Sequence, residues 1–284
     1  MSAIETLLAG LFDYAGLYPP ASLSLHAAVD NYFKYGHSEQ ASAVGRLIIN
    51  YDHLDKLRSV AGDSLGDFAV SVIAAEDADW DALARQVGSG LRIESLEIKC
   101  NQPSIIERIT QRVPKDVMTY FEVPIQAESL PALEAIRAAG ARAKIRMGGV
   151  VPEGIPSIPN VIKMLKTLAE LRLPFKATAG LHHPLRSLRP LTYEPQSPIG
   201  VMHGFVNLAC AAALIYFGGD ADDARCMLGE EDSTAWQVNG DAIHWRDRSW
   251  TTEQLATMRR EFFMSIGSCS FEEPIRDLER LGWL

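Results

Sequence analysis

Most of the familiar signatures of a specialised protein are missing from this sequence. Its 284 residues include only four cysteines, Cys100, Cys210, Cys226 and Cys269, with no CxxC spacing. That argues against a disulfide framework or a zinc finger and points to a reducing, cytoplasmic setting. No apolar run approaches the roughly 20 residues that span a bilayer. The first residues, MSAIETLLAGLFDYAG, carry Glu5 and Asp13 and lack the basic start of a secretory signal. No long basic run is present and the net charge is −9, so nucleic acid is not the expected partner. No GxGxxG follows an early strand, which leaves a dinucleotide-binding fold unsupported. There is no internal repeat and no low-complexity tract.

What is present is ordinary globular composition, 47% hydrophobic and 22% charged, laid out in a regular alternation. Short β-like runs recur at Arg46–Tyr51, Phe68–Ile73, Ser95–Lys99, Met118–Val123, Ala143–Met147 and Pro174–Thr178. Helical runs separate several of them, at Ser104–Arg112, Ser129–Ala139 and Asn160–Leu171. Strand, helix, strand at this spacing is the mark of a parallel sheet. With Leu11–Gly16 as a first strand and Met264–Phe271 as a last, eight strands close a TIM-type (β/α)8 barrel. With fewer, the sheet stays open and doubly wound. The sequence thus reads as one barrel domain over residues 1–284, with an insertion at about 218–263. Within that insertion, Asn239-Gly240 between two apolar runs signals a β-hairpin.

The strand candidates share an unusual feature. Side chains alternate across a strand. That places Glu97 and Lys99 opposite Leu96 and Ile98. It also sets Tyr120 and Glu122 opposite Phe121 and Val123, Lys144 and Arg146 opposite Ile145, and Lys176 and Thr178 opposite Ala177. If the apolar faces pack on helices, the charged faces converge on one axis. Buried charge is expensive unless paired. A charged barrel interior therefore implies either a site or a structural ion-pair network. Asp13 joins the set if residues 11–16 form a strand.

Lys176-Ala-Thr-Ala-Gly-Leu181 resembles the Lys-Thr-Ser-Thr-Gly-Phe strand of deoxyribose-phosphate aldolase and related class I aldolases. The resemblance implies that Lys176 forms a Schiff base and that Gly180 belongs to a turn approaching phosphate. Lys144, Glu122 and Glu97 are candidates by location for the partner lysine and acids. Such a lysine needs a crowded cationic or apolar pocket to lower its pKa.

This gives a leading expectation: a lyase or isomerase acting on a small anionic carbonyl compound, with no cofactor required. Lys176 is its nucleophile or base, Glu122, Glu97 and Lys144 assist, and Arg146, Lys99, Tyr120, Thr178 and Asp13 bind substrate. Gly148-Gly149 lets backbone N–H groups approach an anion. A second reading uses a divalent Zn, Mn or Fe ion held by Glu97, Glu122 and His182 or His183, with a lysine as base. A third is a non-catalytic barrel whose interior charges pair. His203 and Asn207, four apart, share a face at the start of an apolar helix. Cys269, in Gly267-Ser-Cys-Ser270, is either a nucleophile, a ligand or a small packed residue. A small anionic molecule is the expected partner, without nucleic acid or membrane; a homo-oligomer stays open.

Overall fold

A computed structural model describes residues 1–87 and 90–284. Eight parallel strands close a barrel: β1 (Phe12–Tyr14), β2 (Val44–Asn50), β3 (Ala69–Ala74), β4 (Arg92–Lys99), β5 (Met118–Val123), β6 (Arg142–Arg146), β7 (Phe175–Thr178) and, closing it, a last strand at Phe263–Ser268. The last strand lies between β1 and β7, and the others pair in sequence order. This is the TIM-type architecture; the open doubly wound alternative is ruled out because β1 pairs with both β2 and the last strand. The runs Leu11–Gly16 and Met264–Phe271 each supply a barrel strand, shorter than the run itself.

The apolar side of each strand turns outward to the helices. Leu96, Ile98, Phe121, Val123, Ala143, Ile145, Phe175 and Ala177 are all buried in one continuous hydrophobic core. The three helices read from periodicity are found at Pro103–Thr110, Leu130–Ala138 and Ile158–Glu170. Each starts with proline in its first turn, where the missing N–H goes unneeded.

Residues 179–262 form the longest connection. It opens with an antiparallel pair, β8 (Ser187–Pro190) and β9 (Ile199–Met202), next to the C-terminal ends of the barrel strands. Helices Phe205–Tyr216 and Ala221–Leu228 follow, then a meander of β10 (Trp236–Val238), β11 (Ala242–Trp245) and β12 (Arg248–Thr251), then helix Thr252–Glu261. The closing barrel strand is accordingly β13. The Asn239-Gly240 turn joins β10 to β11, and Asn239 Oδ1 accepts from the N–H groups of Asp241 and Ala242. Among the described residues, no helix is long and apolar enough to cross a membrane.

The register fixes the interior. Glu122 pairs with Lys144 across β5 and β6, and Lys144 with Lys176 across β6 and β7. Glu97 lies beside Tyr120. The charged faces therefore line the barrel axis.

Candidate active site

The interior is an ordered chain of alternating charge. At its lower end, the Arg46 guanidinium lies 3.6 Å from Asp13 Oδ1, and the Arg46 backbone N–H donates to the same oxygen at 2.8 Å. Asp13 Oδ2 accepts from Lys176 Nζ at 2.5 Å and from Ser265 Oγ at 2.7 Å. Lys176 also donates to Glu97 Oε1 at 2.7 Å, and Ser71 Oγ donates to that oxygen at 2.6 Å. Ser95 Oγ donates to Ser71 Oγ at 2.7 Å. Lys144 Nζ pairs with Glu97 Oε2 and with Glu122 Oε2, each at 2.8 Å. Arg146 Nε closes the chain on Glu122 Oε1 at 3.0 Å.

Taking these charges out of water is costly, and only partners on both sides of each ion offset it. Burial pushes the Glu97 carboxyl up, but Lys144 and Lys176 outweigh it and hold the pKa far below the usual carboxylate range. Glu122 is lowered in the same way: burial raises it, and Lys144 and Arg146 more than compensate. For Lys176, burial works against the ammonium, yet Asp13 and Glu97 raise its pKa well above that of a free lysine. The Tyr120 ring adds to this, its centroid 5.3 Å from Nζ.

That result corrects the expectation for Lys176. Its side chain is fully buried and its amine is a doubly bonded ammonium, not an accessible amine of lowered pKa. Asp13 and Glu97 supply anions where a Schiff-base lysine needs cations or apolar walls.

Above the chain, at the C-terminal ends of the strands, is a cavity of about 460 Å³. Glu97, Lys144 and Arg146 line it, along with Thr178, His182 and Cys269. Tyr18 on the β1 loop closes one side, its hydroxyl donating to Asn50 Oδ1 at 2.8 Å. Leu191, just after β8, and Met202, the last residue of β9, close another. Asp13, Tyr120, Glu122 and Lys176 do not line the cavity; they sit in the packed layers that hold its wall. Lys99 differs from expectation more sharply. At the very end of β4 its side chain passes the rim into solvent, and among the described residues it makes no ion pair.

The glycines at the ends of β6 and β7 serve close approach of two backbones. A Cβ on Gly148 would stand 2.7 Å from Gly180 Cα, and one on Gly180 would stand 2.8 Å from Gly148 Cα. Gly180 also has φ +69°. Of these glycines, Gly149 and Gly180 face the cavity and Gly148 does not.

The two adjacent histidines do not point to opposite sides as an extended backbone would place them; both turn to helix Glu272–Arg280, where their partners stand one turn apart. His182 Nδ1 lies 3.1 Å from Glu273 Oε2, and His183 Nδ1 lies 2.6 Å from Asp277 Oδ2. Only His182 reaches this cavity. The postulated set of Glu97, Glu122 and a histidine is not assembled: the acids bind Lys144, and the histidines bind acids of helix Glu272–Arg280. Among the described residues, no group of three His, Cys, Asp or Glu side chains is placed to hold a metal ion. His203 precedes helix Phe205–Tyr216 instead of sharing a face with Asn207, and its Nε2 bonds to the Pro156 carbonyl at 2.8 Å. Asn207 donates to the carbonyls of Met227 and Glu230 and accepts from the Arg186 N–H, so it ties loops together.

Several residues of the site carried no signal in the sequence. Arg46, Ser71, Ser95 and Ser265 complete the ion chain, but single serines in a strand look like any exposed position. Glu273 and Tyr193 meet His182 only in three dimensions, with Tyr193 Oη donating to Glu273 Oε2 at 2.9 Å.

No family model matches the chain, and no curated protein matches it. Five solved chains do. One is a structure of a probable mandelate racemase from Alicyclobacillus acidocaldarius, 13% identical, with a TM-score of 0.39. The match covers 75% of this chain and 50% of that one, so the chain spans half the length of the structure to which it is similar.

Proposed function

We propose that the protein is an enzyme, an isomerase or lyase acting on a small carbonyl compound that carries a carboxylate or phosphate. One observation carries this reading: Lys144 and Arg146, cations of the ion chain, both line the cavity at the strand ends. Active sites of barrels of this type lie at that face.

The roles follow from the partners. Arg146 spends Nε on Glu122, and among the described residues its terminal nitrogens are uncommitted, with the side chain half exposed. They take the substrate anion in a forked contact. Lys144 is fixed by two carboxylates and presents its ammonium to the carbonyl oxygen. As the electron pair of a neighbouring C–H or C–C bond shifts toward that oxygen, the proton passes to water in the open cavity or the carbon fragment leaves as carbon dioxide or an aldehyde, and the fixed charge stabilises the enolate that remains. Glu97 and Glu122 are too strongly ionised to carry protons well; they position Lys144. Asp13 and Lys176 position Glu97 in turn. Thr178 and the N–H groups near Gly149 and Gly180 complete the wall.

Proton NMR in D₂O tests this with a panel of small 2-oxo acids, 3-oxo acids and sugar phosphates. The protein should catalyse exchange of the hydrogen next to the carbonyl in at least one of them. Lys144→Met should slow that exchange by about 10²-fold or more, the usual effect of losing one donor to a developing oxyanion. Exchange at the unaltered rate in Lys144→Met overturns the reading, as does an inert wild-type protein across the panel. Borohydride added during turnover separates the Schiff-base version, which requires a reduced adduct on Lys144, the lysine that reaches the cavity.

A further inference from the structure

The cavity has a second chemical wall, formed by Cys269 and His182 and backed by Glu273. Cys269 follows β13, and His182 follows the neighbouring strand β7. Cys269 Sγ lies 3.9 Å from His182 Nε2 and 4.0 Å from Nδ1. The sulfur is nearly equidistant from the two ring nitrogens, and Nδ1 is engaged by Glu273 Oε2 at 3.1 Å, which leaves Nε2 as the nitrogen available to it. Tyr193 Oη steadies Glu273 at 2.9 Å and stands 4.0 Å from the same sulfur. Both Cys269 and His182 face the cavity. The other thiols lack this setting: Cys100 and Cys210 are buried and, among the described residues, bond to no histidine, and Cys226 is exposed.

The order carboxylate, imidazole, thiol is the arrangement that activates a nucleophile. The carboxylate orients the ring and favours its protonated form, and the ring takes the thiol proton. Burial opposes charge on His182, but its contacts with Cys269 and Glu273 outweigh burial and raise its pKa to about 10.

We propose that Cys269 is an activated nucleophile, and that its electrophile is a carbonyl carbon in a compound whose anionic group sits on Arg146. Sγ adds to that carbon, and the π pair moves onto the oxygen. The thiol proton, passed to His182 Nε2, returns to that oxygen and gives a thiohemiacetal with no other reactant. The anion half of the inference rests on the proposed function above; the activation of the thiol does not.

Alkylation of the folded protein, mapped by mass spectrometry, tests both halves. Iodoacetamide should modify Cys269 roughly tenfold or more faster than the exposed Cys226, because thiolate character and not exposure alone sets the rate. His182→Asn and Glu273→Gln should each remove most of that advantage, and retained far-UV circular dichroism identifies variants that still fold. Cys269 reacting no faster than Cys226 overturns the activated thiol. So does an advantage that survives both variants. The second arm compares anionic iodoacetate with neutral iodoacetamide. Cys269 should favour iodoacetate relative to Cys226, and Arg146→Gln should abolish that preference, read as the ratio of the iodoacetate and iodoacetamide rates at Cys269 within the same variant. A preference that is absent, or that is unmoved by Arg146→Gln, overturns the anion half and with it the proposed anion wall, but not the thiol.

Discussion

His182 and His183 are neighbours in the chain and opposites in their response to pH. His182 is raised to about 10, because Cys269 and Glu273 outweigh its burial. His183 is lowered from 6.5: burial dominates and Arg189 adds to it, against the opposing pull of Asp277. Between pH 6.5 and about 10 the folded protein keeps a proton on His182 that the unfolded chain has released. Stability contributed by His182 is therefore complete below 6.5 and declines as pH rises through that window. His183 acts below 6.5, where the unfolded chain takes a proton that the folded state resists, so stability falls on acidification. Urea unfolding at a series of pH values should show a loss of at least about 1 kcal/mol between pH 6.5 and 10. His182→Gln should flatten that decline and leave the acid side as it was. A decline of equal depth in the variant would show that His182 is not its source.

At the scale of elements, the contact between the ends of β6 and β7 sets where Arg146 and Thr178 stand. Gly148 and Gly180 touch backbone to backbone, and Gly180 adopts a left-handed conformation. Gly180→Ala should cost at least about 2 kcal/mol, from left-handed strain and from overpacking against Gly148. Gly240→Ala, which meets open space in the meander turn, should stay within about 0.5 kcal/mol. Thermal and urea unfolding of both variants checks the contrast. Element by element, legibility in the sequence followed the physics of burial. Strands β4 to β7 were readable because one face is apolar and the other polar, and β2 and β3 because they are short runs rich in β-branched residues. Helix Phe205–Tyr216 is buried almost all round, so it has no stripe to betray its period. The β8–β9 pair carries arginine, proline and exposed apolar residues and reads as loop. Charges on the inner faces were legible because an alternating charged strand is costly without a reason. The Cys269–His182–Glu273 wall was not, because its members meet across 87 and 91 residues of chain and no local spacing encodes that.

Across the whole molecule, the ion chain touches every barrel strand. Asp13 comes from β1, Arg46 from β2, Ser71 from β3, Glu97 from β4, Glu122 from β5, Lys144 from β6, Lys176 from β7 and Ser265 from β13. Lys176 is the hub, with Asp13 on one side and Glu97 on the other. Lys176→Met should cost about 3–5 kcal/mol, because it removes the cation shared by two buried carboxylates and leaves each with one cationic partner fewer. The loss should appear as one cooperative transition at lower urea, and a midpoint close to that of the unaltered protein would mean the chain contributes little. Such an interior also constrains how descendants of this sequence can drift. Replacing any one of the buried ions Asp13, Lys176, Glu97 or Lys144 leaves a counter-charge short of a partner in a dry place, so substitutions there should arrive as compensated pairs, an acid and its base exchanged together, while the greasy positions one residue away wander freely among aliphatics.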